Sequence, residues 1–171
     1  SRTHDNAVAD TCLMKDTRPL PFRLGERPET TTEGPHGQLT QKASPCIWGL
    51  LVAKGFEIEG VTQGRSRVSM ATSLAALLLE LPEVHGAWSL ATDGPIEVFH
   101  IHAVTDTSVH AVVPPQRARE AIDKGWGEPH PYADFKTQLM LYAPRDEAEM
   151  NIIVALLRQG VDYAMHSLSR G

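Results

Sequence analysis

Several protein classes are excluded by what this chain of 171 residues lacks. Cysteine is nearly absent: Cys12 and Cys46 stand in neither a CxxC nor a zinc spacing. One optional disulfide is open to them, but a disulfide scaffold is not. The longest apolar run, Leu74 to Leu81, is interrupted by Glu80 and falls far short of the roughly 20 residues a membrane helix needs. No signal-peptide pattern is written at the start. Membrane contact is therefore expected only through a segment upstream of Ser1, and neither a cytoplasmic nor a membrane-associated location is assigned. Basic clusters are missing too. With a net charge of −5, the chain has no basic face of the kind nucleic acid requires. No internal repeat and no flavin or nicotinamide motif is present. What remains is 42% hydrophobic residues, enough for one real core.

The chain divides into two parts. Residues 1–41 are rich in Thr, Pro, Gly and charge and lack periodicity, which predicts an extended N-terminal arm. Its stretch Arg18-Pro19-Leu20-Pro21-Phe22-Arg23 is the part expected to dock. Residues 42–171 form the packed domain. Ile47 to Phe56 is a short apolar segment that reads equally as helix or strand. Val68, Ala71, Leu74, Ala75, Leu78 and Leu81 recur at helical spacing, predicting a helix over 66–81 that Pro82 stops.

Beyond Pro82 the period changes. Residues 87–90 and 96–104 read as strands joined through Asp93-Gly94-Pro95. Residues 109–113 follow as a third strand after the turn residues Thr105 to Ser108. Pro114-Pro115 opens a helix to Lys124, with Gly125 as its C-terminal cap. Residues 137–143 make a fourth strand. Asp146, with Glu149 three residues on, caps a final helix to about Gln159, whose stripe Met150, Ile153, Val154 and Leu157 faces the sheet. The predicted fold class is α+β: an antiparallel sheet of about four strands covered by helices, with an extended N-terminal arm.

Four of the eight histidines fall in one window: His100, His102, His110 and His130. On a strand, His100 and His102 share a face. A three-residue turn, Thr105 to Thr107, pairs residue 102 with 110 and puts His110 on that face, the arrangement expected here. A one-residue slip would send it to the other. Three imidazoles on one face suit general acid–base work near pH 7. The same trio would also hold zinc or iron, with Asp106 or Glu97 as a nearby carboxylate. Some of them being plain surface histidines is the third possibility.

Gly125-Trp126-Gly127-Glu128-Pro129-His130-Pro131 sets a Trp between glycines and stiffens a His between prolines. His130 there reads as a site wall. Trp126 is either substrate-binding or core. In Tyr142-Ala143-Pro144-Arg145-Asp146, Arg145 is a directional cation for an anionic or enolate oxygen, or else a partner for Asp146, Glu149 or Glu128. Trp48, Trp88 and Tyr163 are expected in the core, Arg65 and Arg67 in solvent.

Four blocks in this order resemble the luciferase-like domain of luminous mushrooms and its non-luminous relatives. They are Leu20-Pro21-Phe22-Arg23-x-Gly25-x-Arg27-Pro28, His100-x-His102 with Asp106 and His110, Lys124-Gly125-Trp126-Gly127-x-x-His130-Pro131, and Leu141-Tyr142-Ala143-Pro144-Arg145-Asp146-Glu147. The chain departs from the fungal luciferases in having Thr105 where they have a further His. It also has Glu128 where they have an uncharged residue. The resemblance implies an oxygenase-like enzyme of fungal secondary metabolism, in which O2 is the co-substrate and adds to an electron-rich pyrone that then loses CO2. It implies no organic cofactor, a phenolic, pyrone or polyketide-like substrate, and His100, His102 or His110 as general base. His130 and Arg145 would steady the oxyanion, and Trp126, Tyr142, Asp106 and Glu97 would line the substrate. Three alternatives stay open. One is a non-oxidative cyclase, isomerase or hydrolase on the same histidines. Another is an oxygenase with a metal held by His100, His102 and His110, and the last is a non-catalytic module.

Overall fold

The computed structural model describes residues 18–133 and 135–170; the Cys12 thiol lies outside them, while Cys46 is free and exposed. Helix α1, Pro45–Phe56, starts where Ser44 caps the Ile47 N–H and Pro45 supplies a preset first turn. Strands β1 (Thr62–Arg65), β2 (Leu74–Leu78), β3 (Ile96–Ile101) and β4 (Val109–Val112) follow. Then come helix α2 (Pro115–Asp123), strands β5 (Gly127–Pro129) and β6 (Gln138–Leu141), and helix α3 (Glu147–Ser169). The six strands form one antiparallel sheet in the order β1-β2-β3-β4-β6-β5. The fold is α+β with an antiparallel sheet, as the period changes predicted, with six strands rather than about four.

One face of the sheet carries the core. Phe99, Ile101, Val109, Ala111, Leu139 and Leu141 pack with Leu51 of α1 and Met150, Ile153 and Leu157 of α3. The other face bears Glu97, His100 and His110, yet every residue of β3 and β4 is buried. Residues of the arm, among them His36 and Gln38, contact that second face through hydrogen bonds. An irregularity in the β2–β3 ladder pairs Ala76 with Phe99 but Leu77 with Glu97, leaving Val98 as an extra residue. This bulge lets Val98 and Phe99 both point to the core, and it sets Glu97 on the same face as His100. In an unbulged strand their odd spacing would separate them.

Several predicted elements differ. The helix expected over 66–81 is absent: residues 74–78 within that span form strand β2, with Ala75, Ala76 and Leu78 buried and Leu74 and Leu77 half-buried. A short run buried on both faces shows apolar residues at nearly every position, so it satisfies a helical template as readily as a strand. Residues 87–90 make no strand; they are tied to β3 by the Leu90 N–H on the Glu97 carbonyl and the Ser89 hydroxyl beneath the Glu97 N–H. The ambiguous segment at 47–56 is helical. Strand β1 escaped notice because its four residues are polar and mostly exposed, and β5 because a Gly-Trp-Gly sequence reads as loop.

The last helix begins as expected, with Asp146 accepting the Glu149 N–H at 2.8 Å, but runs past Gln159 to Ser169. Gly160 sits mid-helix because a Cβ there would collide with the Val112 carbonyl oxygen of β4. The arm is anchored at Leu20, whose N–H reaches Glu120 and whose carbonyl accepts from Lys124 at 2.7 Å. Trp126 is buried in the core and donates its indole N–H to the Pro21 carbonyl at 2.7 Å.

Two outcomes follow from this packing. Gly→Ala in a free helix stabilises by about 1 kcal/mol; Gly160→Ala is expected to do the reverse, and a raised thermal midpoint would contradict the close α3–β4 approach. For the arm, burial raises the Glu120 carboxyl, but hydrogen bonds from the Leu20 N–H, Arg117 and Lys124 together outweigh it and hold the group down to about 2, from an ordinary 4.5. A depressed carboxyl contributes above its unfolded value and loses that contribution as pH falls toward the folded one. The gap in melting temperature between the parent and Glu120→Gln should therefore be full near neutrality and shrink below about pH 4.5. A gap independent of pH would exclude an ionic anchor.

Candidate functional site

The second face of the sheet gathers the histidines. In the β3–β4 ladder His100 stands directly opposite His110, and the His102 N–H reaches the Ser108 carbonyl at 3.0 Å. The pairing is offset by two residues from the expected 102-to-110 register, with a longer turn. An even offset preserves the face, so all three imidazoles lie together as predicted. Thr107 closes the turn at φ +73°, fully buried, with its hydroxyl oxygen accepting the Ala43 N–H at 2.9 Å.

His110 is the hub. Its ring centroid lies 5.0 Å from His100, 4.6 Å from His102, 4.3 Å from His130 and 5.1 Å from His36. A continuous line of contacts runs through it. Glu97 Oε2 meets His100 Nδ1 at 2.8 Å, and His100 Nε2 meets His110 Nδ1 at 2.9 Å. His110 Nε2 meets His36 Nδ1 at 3.0 Å, and His36 Nε2 meets Glu128 Oε2 at 2.9 Å. Both terminal carboxylates are surrounded by donors. Glu97 receives the Ser66 hydroxyl and the Arg67 N–H; Glu128 receives the hydroxyls of Thr30 and Tyr142.

His102 is oriented separately. Its Nδ1 lies 2.9 Å from the Ser108 hydroxyl and 3.3 Å from Asp106 Oδ1, while the Ser108 hydroxyl and N–H both donate to Asp106. Burial works to raise the Asp106 carboxyl, but the bonds from His102 and Ser108 outweigh it and hold the group at about 2. Burial lowers the His100 imidazole, opposed by its bond to Glu97. Burial, then the surrounding imidazoles, pushes His110 far below the ordinary range. The same causes bring His130 down to about 4. At neutral pH His100, His110 and His130 are thus uncharged lone-pair bearers. His130 Nδ1 accepts the Tyr132 N–H at 3.2 Å, which leaves the ring hydrogen on Nε2.

Above this cluster is a cavity of about 340 Å³, lined by His36, His102, His110, His130 and Asp106, with Leu39, Val68, Met70 and Tyr132 also on its wall. These last four are exposed side chains. The site thus combines an imidazole floor with an apolar rim, the pattern of a small-molecule pocket.

Of the residues named from sequence, His100, His102, His110, His130, Asp106 and Glu97 come together here, Glu97 by grace of the bulge. Tyr142 touches the cluster through Glu128. Trp126 lies in the core and not on the cavity wall. Arg145 is also elsewhere: its guanidinium grips Glu149 at 2.6 Å and the Leu24 carbonyl at 2.7 Å, fastening the arm to α3. His36 escaped the sequence reading, and Glu128 was noted there only as a family difference and a possible Arg145 partner. His36 sits in an aperiodic segment far from the others, and its one signal is a proline directly before it, as at His130.

One nitrogen from each of His100, His102 and His110 lies within 4.8 Å of the other two, so this trio has the spacing to hold a metal ion. An antiparallel α+β domain with such a pocket on its second face is the class of protein defined by these features. Residues 96–160 match the family model described as "Luciferase domain", a span from the start of β3 into α3. A protein of Neonothopanus nambi called "Luciferase" is 30% identical over 168 residues, covering 84% of this chain and 60% of that one. Luciferases of Armillaria gallica and Armillaria mellea are each 29% identical over 73 residues, covering 39% of this chain and 27% of theirs. The resemblance to the fungal luciferase-like family is thereby shown, while the chain spans 60% or less of the length of these relatives. No solved structure matches.

His36→Leu preserves bulk but leaves the buried His110 Nε2 without a partner and Glu128 Oε2 with only the Thr30 hydroxyl. An unmatched buried polar atom costs about 1–3 kcal/mol, so urea unfolding should show a loss of that order. An unchanged midpoint would mean that His36 does not hold the cluster.

Proposed function

We propose that this chain is a small-molecule enzyme of the oxygenase type, acting on a phenolic, enolic pyrone or polyketide-like acid of fungal secondary metabolism. The observation that carries this reading is the floor of the cavity, where the imidazoles of His36, His102, His110 and His130 face a space of about 340 Å³. The comparisons add support, since the matched family and relatives are named luciferases. The apolar rim suits an aromatic or polyketide-like body, and the floor suits its acidic oxygen.

The chemistry balances without an organic cofactor. An imidazole of the cluster takes the proton of the bound enol or phenol, work that a base near neutrality performs well. The resulting carbanion-like centre forms a C–O bond to O2 and supplies both electrons, so the substrate is oxidised and O2 is reduced to the peroxide level. The proton returns to the outer oxygen. His130, with hydrogen on Nε2, is the donor best placed on the wall to steady negative charge. Burial of His100 and His110 by the arm keeps water from the reacting centre. Arg145, committed to Glu149, has no part in this scheme.

The test uses purified protein with a hydroxylated styryl-pyrone or a related phenol, following substrate loss and O2 uptake together. One O2 consumed per substrate is expected, and His102→Gln should lower the rate by about 10²–10⁴-fold, the usual contribution of a positioned acid or base. Turnover unchanged under anaerobic conditions would sink the oxygenase reading in favour of a cyclase, isomerase or hydrolase.

A further inference from the structure

The line Glu97–His100–His110–His36–Glu128 contains four close contacts, and each needs one hydrogen to be attractive. With one ring hydrogen apiece, the three imidazoles bring three hydrogens between them. The two carboxylates decide where these go, because both ends accept. His100 gives its Nδ1–H to Glu97, which leaves Nε2 bare. At the other end His36 gives its Nε2–H to Glu128, so its Nδ1 must accept from His110 Nε2–H, which leaves His110 Nδ1 bare. The two bare nitrogens are the pair that face each other at 2.9 Å.

A lone pair against a lone pair at that distance is repulsive, and both groups are buried. One positive charge is missing between them. His102 adds a third bare nitrogen from the side: with its Nδ1 on Ser108, its Nε2 has no hydrogen-bond partner among the described residues. The three rings approach to within 4.8 Å nitrogen to nitrogen, and His102 and His110 open onto the cavity.

We propose that His100 Nε2, His102 Nε2 and His110 Nδ1 hold a divalent first-row transition-metal ion at the floor of the cavity, with a position left toward bound substrate. Three features beyond the spacing support it. Neutral imidazoles are donors for zinc, iron, copper or nickel rather than for calcium or magnesium. Each ligand's remote nitrogen is pinned by an outer partner: Glu97 for His100, Ser108 with Asp106 for His102, and His36 backed by Glu128 for His110. Such outer partners set the tautomer and direct the lone pair inward in metal sites. A tetrahedral ion about 2.0–2.1 Å from each nitrogen separates its ligands by roughly 3.3–3.4 Å, so the His100–His110 pair has only to part by about 0.4 Å. A lone proton would satisfy one contact and leave His102 unused.

The proposal rests on this cluster being the working site of the enzyme described above. With the ion in place, a substrate oxygen loses its proton beside a cation, and His36 and His130 remain free of the ion to carry protons.

The full chain, stripped with a chelator and shown to be folded by circular dichroism, is titrated with Co2+ while its visible d–d absorption is followed. One equivalent should bind and be displaced by Zn2+. His102→Ala should abolish the spectrum, Glu97→Gln should weaken binding by about 10–100-fold, and His166→Ala on α3 should leave it unchanged. A folded stripped protein with no saturable cobalt signal, or a signal indifferent to His102→Ala, would overturn the proposal. Full O2-consuming turnover by metal-free protein would also overturn it while sparing the oxygenase reading. One bound ion with turnover indifferent to O2 would do the opposite.

Discussion

Desolvation of the histidines is the constraint on which the rest of this structure depends. Imidazoles taken out of water need a partner for each nitrogen, and an unmatched one is expensive. The protein meets that demand at the outer nitrogens by ending its line of rings on two carboxylates, Glu97 and Glu128, and by anchoring His102 on Ser108 and Asp106. With the outer nitrogens satisfied, one inner nitrogen of each of His100, His102 and His110 converges on the other two. The chemistry of the site is thus a residue of how its hydrogen bonds are completed elsewhere.

That arrangement requires a sheet buried on both faces. The helices α1 and α3 supply the ordinary apolar cover on one side. On the other, an arm with almost no regular structure places His36 and Gln38 against β4 and the β3–β4 turn. The arm is held at Leu20 by Glu120 and Lys124, at Pro21 by Trp126 and at Leu24 by Arg145. Trp126 and Arg145 therefore serve the site by fastening its cover, at a distance from the cavity. The bulge at Val98 has a comparable role, since without it Glu97 would face the core and His100 would lose its partner.

The luciferase-domain model matches residues 96–160, the segment that supplies both carboxylates of the line and four of the five clustered histidines. The fifth, His36, comes from outside that segment. Glu128 is the partner of His36 in this chain. These two residues close the line of contacts at the end nearest the arm.

Much was legible in the residues themselves. Strict alternation placed His100 and His102 on one face, Pro and Gly set the limits of α2, and Asp146 with Glu149 announced the start of α3. These are local effects, governed by backbone geometry within a turn or two of chain. Helix versus strand at 74–78 was not local, because the segment is apolar on both sides and only its pairing with β1 and β3 made it a strand. Nor was the bulge that turns Glu97 toward His100, or the reach of His36 across more than seventy positions to His110. Sequence alone determined which residues were chemically able to form a site. Tertiary structure decided which of them met, because long-range pairing and the burial of an aperiodic arm leave no periodic trace in the chain.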